Sequence, residues 1–140
     1  MSQVEILLVE DDVHDVDLAL RSFRKSNVAR NIEVARDGAQ ALEMLFPADT
    51  TAPLRPRLVL LDLKLPKING LEVLKRIRNE ESTRLLPVVI LTSSKESSDL
   101  RKAYELGANS YLCKPVEFAA FDQVLTSVGL YWMTLNENAP

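Results

Sequence analysis

Five short apolar runs alternate with amphipathic helical patterns along this 140-residue chain, and that alternation limits the fold more than any other feature. The runs are predicted strands at 4–9, 31–35, 58–61, 87–91 and 110–113. The third run is apolar at every position, as in a strand buried on both faces of a parallel sheet. Strands that alternate with helices predict a parallel sheet with helices on both faces and right-handed crossovers. The simplest α/β topology for five such units is the flavodoxin-like strand order 2-1-3-4-5.

The intervening helices are predicted from the spacing of apolar residues and from residues that favour helix ends. They span about 13–26, 38–46, 70–79, 97–106 and 118–128. Asp12, Asp37 and Asn69 stand at predicted N-caps, where a side-chain oxygen can accept hydrogen bonds from free backbone N–H groups. Gly107 suits the end of the fourth helix because glycine tolerates positive φ. The proline-containing segment 47–57 is expected to be a surface loop.

Length and composition exclude several classes of protein. A chain of this size suits a single domain over residues 1–140, with a core at about 4–128 and a C-terminal extension at 129–140. The net charge of −3 argues against a nucleic-acid binder. No apolar run approaches the roughly 20 residues of a membrane span. The lone Cys113 and an N-terminus without a signal-peptide pattern suggest the cytoplasm, and Cys113 is expected to be buried.

Polar residues stand at the carboxyl ends of four predicted strands. Glu10 and Asp11 follow the first strand, Asp62 the third, Thr92 the fourth and Lys114 the fifth. In a parallel sheet these ends share one edge, and ligands bind there near the switch point between strands 1 and 3. At about 5 Å and an effective dielectric constant of about 20, each pair of carboxylates costs roughly 3 kcal/mol. The three carboxylates therefore predict a cation, and hard oxygen ligands favour Mg²⁺.

A site with this charge distribution is suited to holding an anion against a metal ion. A phosphoryl group on Asp62 is the natural occupant, because carboxylates can act as nucleophiles and form aspartyl-phosphates. The cation and Lys114 would stabilise the charge on the phosphoryl oxygens, and Thr92 offers a hydroxyl donor.

The chain resembles the receiver domain of two-component response regulators over residues 4 to about 128. The motifs that carry the resemblance are Leu8-Val9-Glu10-Asp11-Asp12, Leu60-Leu61-Asp62-Leu63-Lys64-Leu65-Pro66, Asn69-Gly70, Val89-Ile90-Leu91-Thr92-Ser93 and Gly107-Ala108-Asn109-Ser110-Tyr111-Leu112-Cys113-Lys114-Pro115. The resemblance implies a regulator that accepts a phosphoryl group from a histidine kinase and signals by a conformational switch. An intermediate carrier in a multistep phosphorelay is the alternative. In either case we expect no enzymatic turnover beyond slow autodephosphorylation.

The resemblance also implies a role for each matched residue. Asp62 would be the phosphoacceptor, Asp11 a direct metal ligand and Glu10 a ligand acting through metal-bound water. The backbone carbonyl of Lys64 would complete the protein's share of the metal coordination.

Three further expectations follow from the resemblance at the fourth and fifth strands. Lys114 would contact the phosphoryl group, and the peptide bond between Lys114 and Pro115 would be cis. Thr92 and Tyr111 would form the switch pair, with Tyr111 turning inward when Thr92 bonds to the phosphoryl group.

The segments 109–111 and 130–135 look most like the single-domain regulators that partner phytochrome-type histidine kinases. Apolar residues at helical spacing continue beyond the fifth helix without a change of phase: Phe118, Phe121, Leu125, Val128, Trp132 and Leu135. We expect the tail either to fold back on the domain or, with slight preference, to form a homodimer with the face of helix 4, strand 5 and helix 5.

Other interpretations of the same residues remain open at this point. A phosphatase with Asp62 as nucleophile would place a second aspartate where Lys64 stands. An FMN module would need a phosphate loop where Glu10 and Asp11 would repel phosphate. A receiver-like module without phosphotransfer would not need the acidic, threonine and lysine residues together. The remaining acidic residues of the first helix, Asp12, Asp15 and Asp17, are expected to cap and charge its start rather than bind metal.

Overall fold

The computed structural model describes residues 3–140, so the first two residues of the predicted domain lie outside that range. Strands and helices alternate as predicted. In chain order they are β1 Ile6–Val9, α1 Val13–Lys25, β2 Ile32–Ala35, α2 Gly38–Leu45, β3 Leu58–Leu61, α3 Gly70–Asn79, β4 Val88–Thr92, α4 Ser97–Glu105, β5 Ser110–Cys113 and α5 Phe118–Leu130. A π-helical turn, Tyr131–Leu135, extends α5.

The five strands form one parallel sheet in the order β2-β1-β3-β4-β5, which confirms the flavodoxin-like α/β topology. In the central pair, Ile6 of β1 lies beside Leu58 of β3 and Val9 lies beside Leu61. Strand order reverses between β1 and β3, so the residues that follow Val9 and Leu61 meet at the switch point.

Alternate side chains of each central strand pack on opposite faces of the sheet. Ile6 and Leu8 belong to the layer shared with α1 and α5. Leu7 and Val9 belong to the layer shared with α2, α3 and α4. The apolar runs are continuous because helices cover both faces, so every position of β1, β3 and β4 is buried.

The predicted helix caps are confirmed. Asp12 accepts hydrogen bonds from the N–H groups of His14 and Asp15, and Asp37 and Asn69 cap α2 and α3 in the same way. Gly107 follows α4 with φ of +100°. These caps begin α1 and α3 immediately after the loops that leave β1 and β3, and thereby set the length of the loops at the switch point.

The tail changes helical phase, and the expected uninterrupted stripe is wrong. Beyond Val128 the next buried side chain is Met133, whereas Trp132 is half-buried and Leu135 is 63% exposed. In a π turn the N–H of residue i+5 bonds to the carbonyl of residue i, one position further than in an α-helix, which moves Met133 into the place that a continuous α-helix would give to Trp132. The Met133 carbonyl accepts a hydrogen bond from Arg57, so this part of the tail folds back on the domain.

Cys113 is exposed, so the expectation that it is buried is wrong. It is the last residue of β5, an edge strand, and its thiol lies 3.6 Å from the Ser94 carbonyl oxygen. No helix within residues 3–140 is both long and apolar enough to cross a membrane.

Candidate functional site

The acidic residues of β1 and β3 are brought together by the pairing of these two strands. The Asp62 N–H donates to the Val9 carbonyl at 3.0 Å, which continues the ladder to the first residue beyond β3. Glu10 is held by the Asp12 N–H, which donates to its carboxylate at 3.1 Å. Glu10 and Asp62 are buried, whereas Asp11 is exposed. The strand ends thus present two buried carboxylates and one that faces solvent.

Gly70 lets α3 begin directly against the end of β3. A Cβ atom at this position would lie 2.2 Å from the Asp62 carbonyl oxygen, a distance that real structures do not tolerate. The Gly70 N–H instead donates to the Leu63 carbonyl at 2.8 Å. The close approach fixes the backbone that carries Asp62.

Glu10, Asp11 and Asp62 are suitably placed to hold a metal ion. Each offers a carboxylate oxygen, and the three oxygens lie within 4.8 Å of one another. Ligands about 2.1 Å from Mg²⁺ stand no more than about 4.2 Å apart, so small side-chain movements would complete such a site. An all-oxygen, anionic donor set is the kind preferred by hard divalent cations. The residues present therefore fit the cation that the sequence predicts.

Lys114 is the first residue after β5, and its ammonium group lies among these carboxylates. The Lys114 N–H donates to the Thr92 carbonyl, which aligns the two strand ends. The ammonium nitrogen lies 2.5 Å from Glu10, 2.9 Å from Asp15 and 3.1 Å from Asp62. No peptide bond within residues 3–140 is cis, so the bond to Pro115 is trans and the expectation of a cis bond is wrong. The ammonium reaches the strand ends with the trans backbone.

Burial and charge shift the pKa values of the central pair. Burial raises the pKa of Glu10 to about 7, and the neighbouring Asp62 adds to the rise, while the hydrogen bond from Lys114 opposes it. Burial acts to lower the pKa of Lys114, but its contacts with Glu10, Asp15 and Asp62 outweigh this effect and the pKa is raised. Lys114 is therefore a cation at neutral pH, in a cluster with an excess of acidic groups.

Thr92 is the last residue of β4 and Tyr111 is the second residue of β5, and both contact Ser94. Thr92 is fully buried, and its hydroxyl lies 3.4 Å from the Ser94 N–H. The half-buried Tyr111 donates from its hydroxyl to the Ser94 carbonyl at 3.1 Å. The Ser94 hydroxyl donates to Asp99 in the first turn of α4 at 2.6 Å. A movement of Thr92 can thus reach both Tyr111 and α4 through one residue.

Lys64 and Asp15 differ in their surroundings from the other residues considered in the sequence analysis. Lys64 is exposed, and its N–H lies 3.4 Å from an Asp62 carboxylate oxygen; the ligand role of its carbonyl stays a prediction. Asp15 lies in the first turn of α1 and adds negative charge there, as expected, but its carboxylate also contacts Lys114. Helical spacing correctly indicates the turn of α1 to which Asp15 belongs. Its contact with Lys114 spans 99 residues, so the neighbouring sequence contains no signal for it.

Known proteins with the same architecture identify the family. A family model for the response regulator receiver domain matches residues 6–126. The probable methanogenesis regulatory protein FilR2 of Methanothrix harundinacea is 41% identical over 133 residues, which cover 95% of this chain and 86% of that protein.

Two solved structures resemble the chain over almost its whole length. One is the Mn²⁺-bound form of response regulator Rcp1, with a TM-score of 0.92 and 32% identity, covering 99% of this chain and all of the other. The other is the phosphorylated cyanobacterial phytochrome response regulator RcpA, with a TM-score of 0.89, 30% identity and the same coverage. The order of the strands, the acidic cluster at the switch point and these similarities agree, and the chain belongs to the response regulator receiver domain family.

Proposed function

We propose that Asp62 accepts a phosphoryl group from a phosphohistidine of a histidine kinase. The observation that carries the proposal is the contact between Lys114 and the Asp62 carboxylate beside Glu10 and Asp11 at the switch point. A carboxylate oxygen of Asp62 would form a bond to phosphorus as the bond from phosphorus to the histidine nitrogen breaks. The electron pair of the broken bond stays on the imidazole nitrogen, which takes up a proton from solvent water.

Each neighbouring residue has a separate part in this transfer. Lys114 is the only cation in direct contact with Asp62 among the described residues, and it would balance the charge of the incoming phosphoryl oxygens. The N–H of Lys64 lies beside the other Asp62 oxygen and would help to orient the carboxylate. Thr92 would donate to a phosphoryl oxygen after transfer. These parts make the chain a phosphoacceptor rather than an enzyme with a substrate of its own.

The cation in our proposal is Mg²⁺, held by Asp11, Asp62 and the Lys64 carbonyl, with Glu10 acting through water. The oxygen donor set and its negative charge support this choice. When bound there, the cation supplies Lewis-acid stabilisation of phosphoryl charge. The solved structure of Mn²⁺-bound Rcp1 supports a divalent ion in this kind of fold.

The kinase in our proposal is of the phytochrome type. The support is the likeness in fold to RcpA, a phytochrome response regulator. Within residues 3–140 no feature favours a relay intermediate over a terminal regulator, so the relay stays the alternative. The cytoplasmic location expected from the single cysteine also stays a prediction.

The last part of the proposal is a homodimer, formed by the face of helix 4, strand 5 and helix 5 together with the C-terminal tail. Leu100 and Tyr104 stand one turn apart on α4 and are 40% and 50% exposed. On the tail, Leu130, Tyr131 and Leu135 are exposed as well. Exposed apolar side chains of this kind are typical of contact surfaces and support the proposal.

The test of the phosphoacceptor is the substitution Asp62→Asn. We expect the purified chain with Mg²⁺ and acetyl phosphate to gain about 80 Da, the mass of one added phosphoryl group, and the variant to gain none, because an amide is a poor nucleophile. Intact-mass spectrometry measures both.

Asp17→Asn is the matched control, since it removes one exposed carboxylate from α1 and should be phosphorylated normally. A full gain of mass by the Asp62→Asn variant would exclude Asp62 as the acceptor.

A further inference from the structure

Lys114 is bound by three carboxylates, and one of them is outside the acidic cluster. An ammonium has three N–H donors. Two of its partners, Glu10 and Asp62, belong to the cluster that fits a metal ion. The third, Asp15, comes from the first turn of α1 and lies 2.9 Å from the ammonium nitrogen.

A metal ion and Lys114 therefore compete for the same carboxylates. A cation bound between Glu10, Asp11 and Asp62 would draw those oxygens toward itself and would repel the ammonium. The Lys114 side chain is only 10% exposed, so the ammonium has little access to water in its place. The Asp15 side chain, 26% exposed, is the one remaining anion in contact with it among the described residues.

We propose that Asp15 is a positioning residue that retains the Lys114 ammonium when a divalent cation binds the acidic cluster. The inference rests on the metal site of the proposed function. It requires no large movement, because Asp15 and Lys114 are already in contact, at 2.9 Å. Lys114 gives up two partners and keeps the third, beside Asp62, where the phosphoryl oxygens would arrive.

The attraction between Asp15 and Lys114 is greater in the metal-bound state for a simple electrostatic reason. Without a metal, three carboxylates share one ammonium, and the loss of Asp15 leaves two. With a metal, the charges of Glu10 and Asp62 are neutralised, and the loss of Asp15 leaves Lys114 without a free anion. An interaction that is stronger in one state shifts the equilibrium toward that state. Asp15 should therefore increase the affinity of the cluster for a divalent cation.

A simpler role for Asp15 would be that of one more negative charge near the metal. Lys114 would then screen the negative charge of Asp15, and the removal of Lys114 would expose the metal to the full charge of Asp15. In that case Asp15→Asn would weaken metal binding more in a Lys114→Met background than in the native one. If Asp15 acts by retaining Lys114, the order is reversed, because the variant without Lys114 has no ammonium to retain.

The experiment measures the affinity for Mn²⁺ alone, from the electron paramagnetic resonance signal of the free ion. Four proteins are compared: the native chain, Asp15→Asn, Lys114→Met and the double variant. We expect Asp15→Asn to weaken binding about fivefold in the native background and less than about twofold in the Lys114→Met background, as for a partly exposed ion pair.

Asp15→Glu should restore most of the affinity, since the carboxylate is kept. Asp17→Asn serves as the control for charge, because it removes an exposed carboxylate from the same helix and should change the affinity by less than about twofold. Thermal unfolding of each variant checks that it is folded.

The outcomes separate the inference from the proposed function. Native Mn²⁺ binding with an equal or larger effect of Asp15→Asn in the Lys114→Met background would overturn the role of Asp15 and leave the metal site intact. Failure of the native chain to bind Mn²⁺ would overturn both. A weaker affinity that appears only with Lys114 present, and that Asp15→Glu restores, is the expected result.

Discussion

Single residues at the carboxyl end of this sheet carry charges in buried surroundings that disfavour charge. Glu10 and Asp62 are buried beside each other, and a pair of carboxylates at such a distance costs a few kcal/mol, roughly 3 at about 5 Å. Lys114 offsets part of this cost, and a divalent cation would offset more. Because charge dominates the site, adding a phosphoryl group to Asp62 should change the contacts of every polar neighbour, including the buried hydroxyl of Thr92.

At the residue scale, Thr92→Ala should separate phosphorylation from its structural effect. We expect the variant to be phosphorylated on Asp62, because Thr92 is not in contact with Lys114 through its side chain. We expect Tyr111 to keep its unphosphorylated position, because the hydroxyl that would follow the phosphoryl group is gone. Fluorotyrosine resonances, with that of Tyr111 assigned by Tyr111→Phe, measure the change.

Thr92→Ser retains the hydroxyl and should respond as the native chain does. A native shift of the Tyr111 resonance in phosphorylated Thr92→Ala would show that the coupling takes another route.

At the scale of an element, the end of α5 is decided by one π turn. The turn buries Met133 in the apolar cluster that includes side chains of α1, β1 and α5, and it leaves Leu135 exposed. Gly129 lets this end of α5 pack closely against the loop after α1, because a Cβ atom at this position would lie 2.5 Å from Val28. The element that extends the domain thus contributes to the core as well as to the surface.

Met133→Ala and Leu135→Ala test this phase directly. We expect Met133→Ala to lower the free energy of unfolding by about 2–4 kcal/mol, as for other large-to-small changes in a core. Leu135→Ala should change it by less than about 0.5 kcal/mol, because the side chain is at the surface. Urea unfolding measures both, and equal losses, or a larger loss for Leu135→Ala, would contradict the π turn.

For the whole molecule, the proposed association depends on apolar side chains that the fold leaves outside. Light scattering of the native chain at tens of micromolar, with Mg²⁺ and acetyl phosphate, should show a dimer. Tyr104→Ser and Tyr131→Ser should weaken it, because they remove apolar area from α4 and from the tail. Cutting the chain after Val128 is a poorer test, because it also removes the buried Met133.

Leu85→Ser provides the comparison, since Leu85 is 58% exposed in the loop before β4, outside the proposed face. Its dimer should be as stable as that of the native chain. A native chain that stays monomeric with and without phosphodonor would exclude the proposed homodimer.

The sequence by itself determined the order of elements, the helix caps and the identity of the strand-end residues. These features depend on local periodicity and on the topological rules of parallel sheets, so they can be inferred from neighbours in the chain. Asp62, Glu10, Asp11 and Lys114 could be predicted to meet because the carboxyl ends of parallel strands share an edge.

Other features were decided only by tertiary structure. The contact between Asp15 and Lys114 joins residues that are 99 positions apart, and no short-range pattern in the sequence indicates it. The burial of Met133 depends on a π turn, which brings this side chain into the apolar cluster on one face of the sheet. The exposure of Cys113 follows from its place at the end of an edge strand. In each case the deciding energy comes from groups that are distant in sequence, so the outcome could be seen only once the chain was folded.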